Sequence, residues 1–346
     1  MTYFMKPMSA LTETGVGNRS LISMLEYCRP KDSDAEADYI NRFIGPYANS
    51  DSFGNLWAVV GDNPRILFSS HTDTVHRKSG KQLITIKDGF AMSDSTCLGA
   101  DDATGNWLMI EMIEAGVPGL YLFHRGEEHG GLGSQWIADN HQVLFQDFPD
   151  IQFAIALDRK GTDDVVQYQM GQRCCSTEFA TDLASILGMD GGDSIGTMTD
   201  TAQYTDIITE CTNISVGYYD QHSKKERQDI KFAHDLRNRL VNANWDMLKA
   251  YGYEPEYESY TMYNYTGYGM SKWEGHFPNQ IDHEYENLVD FAYDRPKAIA
   301  MALYEMGIRV EDIDPEYVIN HGYVTTLADD VPPVYIRSSL TDEDDQ

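Results

Sequence analysis

Five short segments of this chain each carry an apolar run into an acidic or imidazole side chain, and that pattern restricts the fold more than any other feature of its 346 residues. They read ILFSSHTD (66–73), LGADDATG (98–105), YLFHRGEEHGGLGS (121–134), FAIALDRKG (153–161) and ISVGYYDQHS (214–223). Apolar runs of about four to eight residues, alternating with helix-like segments, predict strands buried on both faces of a largely parallel sheet. In an open sheet of that kind the functional crevice lies beyond the carboxyl ends of the strands. A single carboxylate at a strand end is ordinary solvated surface. Repetition of the format predicts that His71, Glu127, Glu128, Asp158 and His222 converge on one place.

The chemistry of that set is specific. Two imidazoles with three carboxylates form a nitrogen and oxygen donor set that suits zinc best, with manganese or cobalt as alternatives, and leaves room for water. With one carboxylate bridging, five side chains can hold two divalent ions. The adjacent acids Asp101-Asp102 and Glu127-Glu128 repel one another in a bare protein, and a dication removes that repulsion. The spacing in EEHGG is not that of the HExxH helix motif.

On these residues the chain resembles the dinuclear zinc exopeptidases, the superfamily of the bacterial and vesicular aminopeptidases, peptidase T and the carboxypeptidase G type enzymes. The resemblance runs from DSFGNLWAVVG (51–61) through YYDQHSKKE, ending at Glu226. It rests on HxD, ADD followed by a glycine, GEE before a glycine-rich turn, a strand-end Asp and a late His in that order. The resemblance implies that His71 and Asp158 bind one ion, Glu128 and His222 the other, and that Asp101 bridges them before a cis peptide to Asp102. It implies that Asp73 orients the His71 imidazole through its second nitrogen, and that Glu127 is the general base for hydrolysis of a peptide or amide bond. The interval between Asp158 and His222 is too short for an inserted lid of about a hundred residues, so the lidless aminopeptidase branch is the better match, although HTDTV is worded like the two-domain branch. TDTAQYTDI (199–207) falls where aminopeptidases place a substrate-pocket segment, which makes Asp200 and Tyr204 candidate substrate contacts; a helix start capped by Asp200 is the competing reading.

Other residues carry less. His76, His124 and His129 flank the motifs, but five ligands already fill a two-ion site, so they read as supporting or solvent-facing groups. Arg159, Lys160 and Arg173 would receive a substrate carboxylate in a carboxypeptidase or dipeptidase; a charged turn is the plainer reading. The expected substrate is therefore a small peptide. An amidohydrolase that deacylates N-acyl amino acids, or a dipeptidase, is the alternative, and a catalytically silent metal-binding interaction protein is the second.

Charge and cysteine usage narrow the setting. With 26 basic against 55 acidic residues the net charge is −29, which disfavours nucleic acid and anionic membranes as partners. Five cysteines without CxxC spacing do not form a disulfide framework, and no export signal or membrane span is legible, so a cytoplasmic protein is expected. The fold class expected is three-layer α/β/α with a mixed, mostly parallel central sheet, plus a small mainly helical C-terminal appendage. SLISMLEYC and DAEADYINRFI read as an opening helical pair, ATGNWLMIEMIEAG as the helix after ADD, and DIKFAHDLRNRLVNANWDMLKAYG as the closing helix. The expected organisation is a catalytic domain over 1–250, a Tyr-rich linker over 251–280, a helical appendage over 281–338 that could cap the cleft, bind a partner or mediate homo-oligomer assembly, and an acidic tail over 339–346.

Overall fold

The computed structural model describes residues 20–140, 145–169, 171–191 and 193–253. The linker beyond Tyr253, the helical appendage and the acidic tail expected from the sequence lie outside the described residues. Six strands carry the main sheet: β1 (Leu56–Val60), β2 (Ile66–His71), β3 (Gly119–His124), β4 (Phe153–Arg159), β5 (Val165–Gln169) and β6 (Glu210–Ser215). Their spatial order is β5-β6-β4-β2-β3-β1, extended at the margins by short strands at Asn49–Ser50, Gln172–Arg173 and Asp193–Gly196 into a nine-stranded sheet. The pairs β6/β4, β4/β2 and β2/β3 are parallel, while β5 runs antiparallel to β6 and β1 antiparallel to β3. Four parallel carboxyl ends therefore lie side by side.

Period-two alternation explains why these runs are apolar throughout. Phe68, Tyr121, Phe123, Ile155, Leu157 and Val165 enter one core, whereas Leu67, Leu120, Leu122, Ala154 and Val166 enter another. The first core is covered by α1 (Leu21–Leu25), α3 (Ala100–Glu114), α5 (Thr177–Leu187) and α6 (Ile230–Asn242), with α2 (Asp34–Tyr39) beside them. Ile137 of α4 (Leu132–Asp139), Tyr204 and Ile208 cover the second. Because each strand has a wet face on neither side, the sheet reads as uninterrupted hydrophobic text. The three-layer α/β/α architecture is the one that text predicts.

Helix α3 lies under the centre of the sheet and is buried from Ala100 to Ile113 on almost every side, so its sequence shows no polar stripe. By contrast, α5 starts with Ser176 Oγ accepting the Phe179 N–H, ends at Gly188 with φ 62°, and buries Phe179, Ala180, Leu183, Ala184 and Leu187 on one face. Helix α6 uses Asp229 as its N-cap. It stops at Asn242, earlier than the sequence pattern predicts, because Trp245 turns back to donate its indole N–H to Leu240 O and to pack on Phe68 at 5.2 Å. Burying much of an aromatic side chain contributes on the order of 2 kcal/mol. Another helical turn would add only tenths per residue. The opening pair also differs from expectation: α1 ends at Leu25, and Tyr27–Cys28 pair with Gly80–Lys81 as a two-stranded ladder.

A second, four-stranded antiparallel sheet joins Ile84–Lys87, Phe90–Ser93, Arg227–Asp229 and Tyr218–Tyr219. The Asp88-Gly89 turn, with φ values of 52° and 86°, closes its first hairpin, a signal legible in the sequence. This sheet holds the loop that bears His222.

One glycine decides how closely α3 approaches the sheet. A Cβ on Gly105 would lie 2.2 Å from Leu157 O and 2.4 Å from Asp102 Oδ1. In an open helix Gly→Ala stabilises by about 1 kcal/mol. Here the clash dominates, and Gly105→Ala is expected to lower stability by about 1–3 kcal/mol, read as a lower urea midpoint with unchanged m-value.

Candidate metal centre

The four parallel strands deliver the sequence-predicted residues to one end of the sheet. His71 is the last residue of β2, Asp158 the penultimate residue of β4, Glu127 and Glu128 follow β3 in a short 3-10 turn, and His222 follows β6 through the small sheet. Asp101 comes from the entry to α3, where φ/ψ values of −78°/99° at Asp101 and −122°/49° at Asp102 depart from the helix and the intervening peptide is cis.

Asp101 occupies the middle. Its Oδ1 lies 3.0 Å from His71 Nε2 and its Oδ2 3.2 Å from His222 Nε2. Asp158 Oδ1 approaches the same His71 nitrogen at 3.6 Å, and Glu128 Oε1 lies 3.0 Å from His222 Nε2. Glu127 Oε2 stands 4.0 Å from His71 Nε2. Ligand-capable atoms of His71, Asp101 and Glu128 fall within 4.8 Å of one another, as do those of His71, Asp102 and Asp158. Asp102, however, accepts the Gly105 N–H on Oδ1 and the His71 N–H on Oδ2, so its carboxylate secures backbone at this junction.

Electrostatics argue that the set calls for positive charge at two points. Burial opposes a charged His71, yet its contacts with Asp101 and Asp158 hold its pKa well above the ordinary value. Burial likewise opposes a charged His222, but Asp101 and Glu128 push it up to about 11. Burial, reinforced by Asp101 and opposed by His71 and Thr199, raises Asp158 to about 6. Burial also lifts Glu127 well above the usual carboxylate range; Glu128, Asp158 and Asp200 add to the shift and His71 opposes it. Crowded, largely buried carboxylates facing two imidazoles form a donor set that suits divalent metal. The donor atoms and their grouping around Asp101 suit that load.

The surroundings hold these groups in place. Asp73 Oδ1 accepts the N–H groups of Gly126 and Glu127 at 2.9 and 3.1 Å, while His71 Nδ1 lies 3.2 Å from the Asp73 carbonyl oxygen and 3.6 Å from its carboxylate. Asp73 thus ties the Glu127 turn to the His71 loop. His222 has a left-handed backbone, φ 61°, an uncommon conformation for a residue with a side chain. Ser223 Oγ donates to Asp220 O across that turn.

Three supporting residues carried no sequence signal that distinguished them. Glu226 is 2% exposed and accepts four backbone N–H groups, from Leu98 and Gly99 on one oxygen and from Ala100 and Asp101 on the other, at 2.8–3.2 Å. It pins the Asp101 segment four residues after His222. Arg29 is fully buried, donates to Thr72 O and Gly99 O, and lies 4.3 Å from the Tyr39 ring centroid. Glu36 accepts from the Thr72 hydroxyl and from the Arg125 guanidinium. Both link the His71 loop to a neighbouring motif loop. Buried charges of this kind look like surface charges in a sequence.

The flanking candidates fall elsewhere. His76 is buried between Thr74 Oγ1 and Cys97 O, and burial lowers its pKa to about 4. His129 lies 3.4 Å from Asp73 Oδ2. His124 lies 3.2 Å from Asp200 Oδ2 and 2.6 Å from the Tyr204 hydroxyl. Tyr204 is fully buried against Phe145, and Asp200 is 1% exposed with no hydrogen-bond partner on Oδ1 among the described residues. Arg159 pairs with Asp164 at 3.1 Å and donates to Ile195 O; Lys160 is exposed and Arg173 donates to Cys175 O. All five cysteines are buried and free. Among the described residues no helix is long and apolar enough to cross a membrane.

Comparison with known proteins separates sequence from fold. No family model matches the chain, and no curated protein matches it by sequence. Among solved structures, aminopeptidase PepT from Bacillus cereus superposes with a TM-score of 0.51 at 15% identity, over 64% of this chain and 95% of that one. A tripeptidase from Staphylococcus aureus superposes with a TM-score of 0.52 at 15% identity, again over 64% and 95%. At 15% identity these superpositions show a shared fold.

The clamp at Glu226 is directly testable. Hydrogen bonds to a charged acceptor contribute about 1.5–3 kcal/mol, and an amide would turn a donor toward two of these N–H groups. Glu226→Gln is expected to cost at least about 2 kcal/mol in urea unfolding; a change within error would contradict the clamp.

Proposed function

We propose that this protein is a metal-dependent exopeptidase, specifically an aminopeptidase acting on small peptides. The observation that carries the reading is the division of Asp101 between two imidazoles, with Asp158 completing one side, Glu128 the other, and Glu127 alongside. His71, Asp101 and Asp158 would hold one divalent ion and His222, Asp101 and Glu128 a second, most suitably zinc. When bound, such ions polarise a scissile carbonyl and lower the pKa of an attacking water. Glu127 is the group free to take the proton of that water and return it to the leaving amine. Asp73 keeps Glu127 in register with His71 through its two backbone hydrogen bonds. The names carried by the superposed structures, an aminopeptidase and a tripeptidase, agree with this class of reaction.

Asp200 favours a free amino end. It is a buried carboxylate held by His124 on one oxygen, with no hydrogen-bond partner on the other among the described residues, and close enough to Glu127 to raise its pKa. A substrate α-ammonium suits that oxygen, whereas an acylated nitrogen offers it no charge. Arg159, already paired with Asp164, is less suited to capture a substrate carboxylate.

Glu127→Gln is expected to keep two ions per chain and to lose roughly 10²–10⁴-fold in kcat; wild-type turnover would remove Glu127 from the base role. Against paired panels of aminoacyl anilides and N-acyl amino acids, chelator-sensitive release should be confined to the free-amine panel. Asp200→Asn should raise KM on it with a smaller effect on kcat. Turnover only on acylated substrates would make the protein an amidohydrolase, and bound metal without turnover on either panel would favour an interaction protein.

A further inference from the structure

Tyr218 touches the site and has no part in the chemistry described so far. It lies in the small sheet, 2% exposed, and its hydroxyl donates toward two acceptors of one residue: Asp158 Oδ1 and the Asp158 carbonyl oxygen, each at 3.1 Å. Oδ1 is the same carboxylate oxygen that faces His71 Nε2 at 3.6 Å. The other oxygen, Oδ2, accepts the Thr199 hydroxyl at 2.8 Å. The main chain of Asp158 is also fixed: its N–H donates to Asn213 Oδ1 and its carbonyl accepts from Asn213 Nδ2. Both carboxylate oxygens and the backbone of this one residue are therefore oriented, from three different elements.

We propose that Tyr218 is a positioning residue that locks the Asp158 carboxylate toward His71 and thereby strengthens ion binding on the His71 side of the site alone. The proposal rests on the two-ion reading above. The physical argument is one of orientation. A carboxylate free to rotate must give up side-chain entropy when it ligates, whereas one already held on both oxygens has given it up on folding. No hydroxyl of Tyr218 reaches Glu128 or His222 among the hydrogen bonds of the described residues, so the effect is one-sided. Tyr218 is invisible as a functional residue in the sequence, where it reads as one more aromatic in a strand.

The experiment is calorimetric titration of the metal-free full-length protein with Zn²⁺. Wild type should bind in two steps. Tyr218→Phe should weaken one step by about 10- to 100-fold, the range typical when a ligand's hydrogen-bonding partner is lost, and leave the other step unchanged. Thr199→Val should weaken the same step. In a His222→Ala background, which retains the His71 side, Tyr218→Phe should weaken the remaining step by the same factor. Two unaltered steps in Tyr218→Phe would overturn the proposal, as would equal weakening of both, which marks a general structural role. A wild-type protein that binds no Zn²⁺ would instead overturn the two-ion reading itself.

Discussion

The placement of Asp101 between two imidazoles is the constraint on which the rest of this structure depends. Its two oxygens are committed in opposite directions, to His71 and to His222, so two loops from distant parts of the chain must meet it at hydrogen-bond distance. Around it stand Asp158, Glu127 and Glu128, all largely withdrawn from water. Carboxylates gathered in this way disfavour one another's charge unless positive charge is supplied. Much of the surrounding architecture is concerned with holding that unfavourable arrangement. Glu226 gathers the amides before Asp101, Gly105 removes the side chain that would separate α3 from β4, and Asp73 ties the Glu127 turn to the His71 loop.

The sheet provides the coarse geometry and the buried polar network the fine geometry. Four adjacent parallel strands bring His71, Asp158, the Glu127-Glu128 turn and the His222 loop to one edge. Packing of two separate cores, one on each face, fixes those strands rigidly. Strand ends alone leave loops with freedom of several ångströms. That freedom is taken up by Arg29 and Glu36, which lie at the N-terminal side of the fold and bind carbonyl or hydroxyl groups of the motif loops. A site of this kind gains its precision from residues that never face the crevice.

The legible part of this molecule was the part with a simple period or a repeated ending. Fully apolar runs mark doubly covered strands, and their shared termination in His, Asp or Glu marks the end of the sheet that carries the site. Supporting residues were not legible because their role depends on burial. Glu226 sits in SKKE, Arg29 in CRPK and Glu36 in DAEAD, contexts that read as solvated charge. Tyr218 reads as strand filler. Element ends were missed where a tertiary contact overrode local preference: Trp245 turns into the core and stops α6, and Tyr27–Cys28 leave the opening helix to pair with Gly80–Lys81. The fold itself was more legible than its relationship by sequence, since 15% identity accompanies superposition over 64% of the chain.

The most direct test of the account is crystallography of zinc-loaded protein with anomalous data at the zinc edge. Two anomalous peaks are expected, one beside His71 and Asp158 and one beside His222 and Glu128, with the two oxygens of Asp101 divided between them. A single peak, or two peaks that Asp101 does not join, would contradict it.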